Sequence, residues 1–548
     1  MPDEQEPKGM WNKLWLERTR VLLPLSILIS PFLNFLDHHS YDLGSVEVVL
    51  GLSAIVMVAL LFSFMTMVGG RLFRDFVIIG LIMFFVDIQF DLMDEIGKFS
   101  KIGIAIGLFT LARLIGDNFH RIATTIFVAV LVVTLVQLPL SKGVTKSRKV
   151  WKTPSGSNNP PPRLIHLILD EHIGVEGIPT EMAEGRTLKE SLSRFYQRNG
   201  FRLFGGAFSR YADTLNSISN TLNFSAENKS LAFVVERENS LSVSRNSLSQ
   251  NNYFESLARE GYHINVVSSS HLDLCANSTV NLDNCSRYEF GVKSIETMGS
   301  PTFRFQLICL SYLNRSYGFR RLRTLVPLPW IQHPHHLSSI QSMNLLDGLW
   351  EDILALPRGN VLFVHLMFPH GPFAVRTDCS IKPFGQWKGG RLENPPPYNT
   401  AGSRKESYQH YFHQLECLYV KLESLFERMR DAGIYDDSII VLQGDHGSRI
   451  VMTYPIPKYR GSLKEQDLMD AYSALFAVKG PGIHGGYDSS PRPLEALLAQ
   501  FVSEHVASSS LDFTLEQSAF VYLGSDPDLK GKRKGKELMP IPYLIAHH

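Results

Sequence analysis

Apolar positions are spread unevenly along the chain. Before residue 141 they gather into five long runs, Val21–Leu36, Val46–Val68, Phe76–Phe90, Ile102–Gly116 and Ala123–Leu140. Beyond that point they come in short bursts between polar, helix-patterned stretches. A helix crosses the hydrocarbon layer with about 20 apolar residues. The second and fifth runs meet this length, and the first does so despite Pro24 and Pro31, which membrane helices tolerate. The third and fourth are shorter and carry Asp87 and Arg113 near their ends. Each of these two reads either as a span or as an interfacial or re-entrant helix. No small-residue cleavage site follows the first run, which argues against a removed signal peptide.

Basic residues set the expected orientation. Lys8, Lys13, Arg18 and Arg20 precede the first run, Arg71 and Arg74 follow the second, and Arg113 and Arg121 flank the loop after the fourth. The loop His38–Ser45 has neither Lys nor Arg. Lys and Arg accumulate on the cytoplasmic side, so the N-terminus is expected there, and five spans carry the C-terminal part to the opposite side. Lys142, Lys146, Arg148 and Lys149 run against this bias. The cluster SGSNNPPPR marks a partly stiffened linker. The expected organisation is a membrane domain over 1–140, a linker over 141–163 and a second domain over 164–548.

In that second domain LIHLIL (164–169), INVVSS (264–269), NVLFVHLMF (360–368), SIIVLQG (438–444) and SALFAVKG (473–480) are continuous rather than alternating apolar runs. Such runs suit strands buried on both faces. Helical patterns lie between them, over Thr187–Arg198, Tyr253–Glu260 and Glu406–Ala432. Strands alternating with helices predict an α/β sandwich around a mostly parallel sheet, with ligands at the carboxyl ends of the strands. Asp170, His370 and the pair Asp445-His446 stand just after three of those runs.

Composition narrows the chemistry. Lys plus Arg number 54 against 53 Asp plus Glu, and no basic stripe with interleaved aromatics points to nucleic acid. Carboxylate and imidazole together at strand exits suit Zn or Mn better than Ca. The loop His333–His336 also holds histidines, but it contains a proline and lacks a nearby acid.

Asp170 in LILDEHIG, His370 in FVHLMFPHGPF, the pair in GDHG and the later AVKGPGI occur in an order that resembles the sulfatase-like branch of the alkaline phosphatase superfamily, over about residues 163–505. The resemblance implies an alkaline-phosphatase-like α/β sandwich with a mostly parallel sheet behind an N-terminal transmembrane helix bundle. It implies a divalent metal held by Asp170, Asp445, His446 and a nucleophile at the head of a helix. The C-x-P-S-R nucleophile motif of true sulfatases is missing, and SRYADTLNSISNTLNF (209–224) stands in its place. Its register makes Thr214 the catalytic nucleophile and fourth metal ligand and Ser217 the serine that follows, with Ser209 and Ser219 as rivals. A threonine nucleophile resembles envelope phosphoethanolamine and phosphoglycerol transferases. By the same resemblance His370 contacts the phosphoryl group or protonates the leaving oxygen. Arg449 and Ser217 help to bind the substrate, and Glu171 is a supporting or alternative ligand. His365 is expected on the opposite side of its strand.

The expected function is metal-dependent phosphoryl transfer or hydrolysis on phospholipid headgroups or an envelope glycan. The protein is expected in a bacterial inner membrane, with the catalytic domain periplasmic or extracellular. A sulfuric ester hydrolase and a non-catalytic lipid-binding regulator of the same fold are the alternatives. Of the five cysteines, Cys275 with Cys285 and Cys379 with Cys417 have the spacing and polar context of disulfides, which form in oxidising compartments. Cys309 lies in an apolar context and is expected free and buried.

Overall fold

A computed structural model describes residues 7–38, 41–90, 98–141, 151–152, 160–227, 231–238, 241–269, 271–276, 279–288, 300–313, 315–325, 338–383, 386–388, 400–507, 520–524 and 537–540. Most of the linker 141–163, its basic residues from Lys142 to Lys149 and the histidines of 333–336 lie outside the described residues. The chain divides into two compact units. One comprises the described residues of Met1–Arg148 and Gly291–His335, the other those of Lys149–Phe290 and His336–His548. The second unit is thus interrupted in sequence by Gly291–His335, which groups with the first. The cause is local: the partners of the inserted segment lie on the helices of the first unit.

That first unit is a bundle of α1 (Pro7–His38), α2 (Val46–Val68), α3 (Arg71–Phe90), α4 (Lys98–Ile115) and α5 (Asp117–Ser141). Three of these contain stretches long and apolar enough to cross a membrane, Arg20–Asp37, Val46–Val68 and Asp117–Leu138. Large apolar side chains such as Met57, Phe64, Phe76, Leu114 and Val136 point outward, an arrangement suited to lipid. Polar groups meet inside, where Ser30 Oγ lies 3.0 Å from Thr134 Oγ1. The protein is therefore a membrane protein. The insertion adds α9 (Pro301–Leu313) and α10 (Tyr317–Leu325) to this unit.

The second unit is built on an eight-stranded sheet. Its strands in chain order are β1 (Arg163–Leu169), β2 (Arg202–Phe204), β3 (His263–Ser269), β4 (Asn284–Tyr288), β5 (Asn360–Leu366), β6 (Ser438–Gly444), β7 (Phe476–Lys479) and β8 (Gly486–Asp488). Their spatial order is β8-β2-β7-β6-β1-β5-β3-β4. Pairs β6/β1, β1/β5, β5/β3, β3/β4 and β8/β2 are parallel, and β7 runs antiparallel to both neighbours. Both β5 and β6 are buried at every position, as their unbroken apolar runs require. The flanking helices include α6 (Ala183–Arg198), α7 (Thr214–Thr221), α8 (Asn252–Arg259), α11 (Ser338–Ala355) and α12 (Ala401–Asp431). They are followed by α13 (Glu465–Tyr472) and α14 (Leu494–His505). Cys275–Cys285 and Cys379–Cys417 are bonded, with Cα atoms 5.7 and 5.0 Å apart. Cys309 is free but half-buried rather than buried, because it lies on α9 of the insertion rather than in the sheet core.

Candidate metal and group-transfer site

Register brings the chemistry together. In the parallel ladder Ile168 pairs with His365 on one side and with Gln443 on the other. Side chains alternate with period two along a strand. Ile168, His365 and Gln443 therefore share a face, and Asp170 and Asp445, two residues further along β1 and β6, continue it. One suitable ligand atom from each of Asp170, Asp445 and His446 lies within 4.8 Å of the others, and all three residues are buried.

The fourth expected member comes from α7. Asp213 caps this helix by accepting from Asn216 N–H at 2.9 Å. The cap fixes Thr214 as the first helical residue, and its Oγ1 donates to Asp170 Oδ2 at 3.3 Å while lying 3.2 Å from His446 Nε2. The rival hydroxyls are engaged elsewhere. Ser217 donates to the Asp445 backbone carbonyl, Ser209 bonds the Tyr211 carbonyl and Ser217, and Ser219 bonds the Asn216 carbonyl. Of the four, Thr214 is the one whose hydroxyl touches both a carboxylate and an imidazole of the cluster.

Two carboxylate oxygens of the cluster, Asp170 Oδ1 and Asp445 Oδ2, are buried and accept no hydrogen bond. Buried lone pairs of this kind are costly to leave without a partner. Burial works against the Asp170 carboxylate, but the His365 hydrogen bond and the histidines around it outweigh burial and hold its pKa below the ordinary range. Burial and then the Asp170 charge push Asp445 well above that range. Two carboxylates this close need a proton or a cation between them. Burial, reinforced by Arg449, lowers His446 to about 4, so its imidazole is neutral near pH 7, the form that ligates metal. These donors fit a divalent cation.

His365 corrects the sequence expectation. It faces the cluster, with Nε2 3.2 Å from Asp170 Oδ2 and Nδ1 3.3 Å from Ser269 Oγ. The error lay in counting faces from the strand alone, without the register that pairs it with Ile168. A second group stands beside the first. Arg449 Nε donates to Glu171 Oε1 at 2.6 Å, and Arg449 NH2 lies 3.1 Å from His370 Nε2. His370 Nδ1 is 2.5 Å from the Gly371 carbonyl. That nitrogen is therefore the donor, and Nε2 is left to accept from Arg449. Both Glu171 and Arg449 adopt positive φ, 61° and 56°, a conformation costly for residues with side chains and found preferentially at functional sites.

The loop after β6 is held from behind. Gly447 N–H donates to the Ala471 carbonyl at 3.0 Å and Arg449 N–H to the Asp470 carbonyl at 2.8 Å. The Asp470 carboxylate receives Arg404 through two nitrogens at 2.8 and 2.9 Å. A Cβ at Gly444 would lie 2.3 Å from the His172 carbonyl oxygen, and one at Gly447 2.3 Å from that of Asp470. Only glycine fits at either end of GDHG. Sequence reasoning missed Asp470 and Arg404, which sit in ordinary helical contexts, and it undervalued Glu171.

The arrangement suits metal-assisted group transfer. Residues 196–471 match the sulfatase family model, and the chain belongs to the sulfatase family. Among curated proteins none matches the chain. Solved structures similar to it include the zinc complex of the C-terminal periplasmic domain of EcEptC from Escherichia coli, at 13% identity over 71% of this chain and 95% of that one, with a TM-score of 0.38. The phosphonate monoester hydrolase of Agrobacterium radiobacter is similar at 11% identity, 68% and 82% coverage and a TM-score of 0.39. The lipoteichoic acid synthase LtaP from Listeria monocytogenes is similar at 12% identity, 71% and 90% coverage and a TM-score of 0.35.

Proposed function

We propose that the protein transfers or hydrolyses phosphoryl groups of phospholipid headgroups at the outer face of a bacterial inner membrane, using Thr214 as nucleophile. The observation that carries this reading is the Thr214 hydroxyl, seated between Asp170 and His446 at the first turn of a capped helix. Asp170, Thr214, Asp445 and His446 would hold the cation, Zn or Mn by their donor types. When bound, such an ion favours the ionised hydroxyl and neutralises charge on the transferring oxygens.

The chain's own residues do the rest. Thr214 Oγ forms a bond to phosphorus as the bond to the leaving oxygen breaks. An acceptor hydroxyl or water then displaces Thr214 and restores the hydroxyl. Arg449 supplies a planar cation beside the cluster, and His370, whose Nε2 accepts from Arg449 at 3.1 Å, lies next to it to contact the phosphoryl group. Glu171 holds Arg449 in place. The outer-face assignment rests on the arginines at the helix ends that meet at the α2–α3 and α4–α5 turns, Arg71, Arg74, Arg113 and Arg121, and on two disulfides.

A sulfuric ester hydrolase is the second reading, since the family is shared, but 209–224 offers Thr214 where that chemistry uses an oxidised cysteine or serine. The test supplies the metal-loaded full chain with bilayers containing candidate headgroups and, separately, with a sulfate ester. Release of diacylglycerol or of the free headgroup, lost in Asp445→Asn, is expected. Turnover of the sulfate ester alone would overturn the proposal.

A further inference from the structure

Residues 301–325 contain five arginines, Arg304, Arg315, Arg320, Arg321 and Arg323, and no Asp or Glu. They form α9 and α10, which belong to the same compact unit as the membrane helices. Their partners lie at one end of the bundle. Arg304 Nε is 3.1 Å from Glu47 Oε1, in the first turn of α2. The Tyr312 ring packs 5.0 Å from Phe32 and 5.6 Å from Phe35, near the end of α1. In the last turn of α3, Asp87 Oδ2 accepts from Ser316 Oγ at 2.9 Å and from Tyr317 N–H at 2.6 Å. Asp87 thereby caps the N-terminus of α10, where its negative charge is favoured. Lys101, in the first turn of α4, lies 3.4 Å over the Tyr317 ring. The opposite end of the bundle carries a different cluster, in which Arg74 pairs with Asp117 at 3.0 Å and His120 with Asp75 at 2.8 Å.

These contacts fix a depth. The 23 residues of α2 rise about 35 Å at 1.5 Å per residue, which matches the hydrocarbon layer with its margins. A segment docked on the first turn of α2 and the last turns of α1 and α3 therefore sits at the level of lipid headgroups. Tyr312 and Tyr317 are the aromatic residues favoured at that level. On α10 the side chains of Arg321 and Leu322 are exposed side by side. Arg321 Nε donates to the Tyr317 hydroxyl at 3.1 Å, and a bilayer surface offers this exposed cation an anionic headgroup and Leu322 an apolar medium together, which a soluble anion does not.

We propose that α9 and α10 form a collar at the membrane surface that binds anionic phospholipid headgroups through the arginines of α10. The inference goes beyond the reading of the metal site and does not depend on it.

The test uses the full chain in nanodiscs, with Cys309→Ser and Gly318→Cys, and bimane attached at position 318. Quenching is measured with spin labels on the headgroup of either phosphatidylglycerol or phosphatidylcholine present as a minor lipid. Phosphatidylglycerol should quench more strongly, and salt should abolish the difference. Each arginine near an anionic surface is worth roughly fivefold in local enrichment. Arg320→Gln, Arg321→Gln and Arg323→Gln together should therefore remove the preference, whereas the three corresponding Lys substitutions should keep it. If the Gln variant does not fold, the salt titration and the Lys variant decide. Equal quenching by the two lipids in the unsubstituted helix, or loss of preference in the folded Lys variant, overturns the charge reading. Absence of quenching by either lipid overturns the placement at headgroup depth.

Discussion

Replacing His365 by Ala should weaken metal binding without abolishing it. The imidazole, on β5, is fully buried. It spans from Ser269 Oγ, 3.3 Å from Nδ1, to Asp170 Oδ2, 3.2 Å from Nε2. With Nε2–H donating, the ring fixes one oxygen of Asp170 and leaves Oδ1, which accepts no hydrogen bond, aimed at the cluster. Losing a hydrogen bond to an ionised group costs about 1.5–3 kcal/mol. That equals roughly 10–150-fold in an equilibrium constant, close to the roughly 10–100-fold found when partners of metal ligands are removed. The assay is competition of the full chain with a chromophoric chelator for Zn or Mn, which reads affinity independently of turnover. His365→Gln keeps a donor and most of the volume, so its affinity should fall between those of the wild type and His365→Ala. An unchanged Kd in folded His365→Ala would refute the reasoning, because the hydrogen bond would then have no part in orienting the carboxylate.

Three further outcomes are expected. Gly447→Ala should fold poorly or lose metal, since its Cβ meets a backbone oxygen that cannot move without disturbing Asp470; a normal Kd and thermal midpoint would contradict this. Arg449→Ala strands the buried Glu171 carboxylate and should cost about 3–5 kcal/mol in denaturant unfolding, most of it recovered when Glu171→Gln is added; equal destabilisation of the single and double variants would deny the coupling. Burial pushes His166 down to about 3, against about 6.5 in the unfolded chain, so its stabilising contribution is present above pH 6.5 and is lost as pH falls toward 3. At pH 5 this loss is about 2 kcal/mol, and His166→Gln should blunt the drop in thermal midpoint between pH 7 and pH 5 by a corresponding amount; identical drops would contradict it.

The fold was legible where the apolar runs were continuous. All five sequence runs after the linker contain strands of the main sheet, because residues buried on both faces need no solvent-facing alternation. The short β2, β4 and β8 carry no such signal. Arg202–Phe204, for example, is three residues long with one position half-buried. Asp170, Asp445 and His446 could be singled out because strand exits in a parallel sheet converge. His365 could not, because its orientation depends on pairing with a strand nearly 200 residues away. The insertion was hidden for a related reason. The segment 301–325 is short and basic, and its attachment to the bundle depends on Glu47 and Asp87, charges that read in sequence only as blemishes in apolar runs.

The central claim, that Thr214 receives the transferred group, is tested most directly by rapid acid quench of the metal-loaded full chain with a phospholipid donor, followed by peptide mass spectrometry. The account predicts a phosphoryl adduct on the peptide spanning Tyr211–Phe224, localised to Thr214 and missing from Thr214→Ala, which should still bind metal through Asp170, Asp445 and His446. An adduct on Ser217 or Ser209, or full turnover by Thr214→Ala, would contradict it.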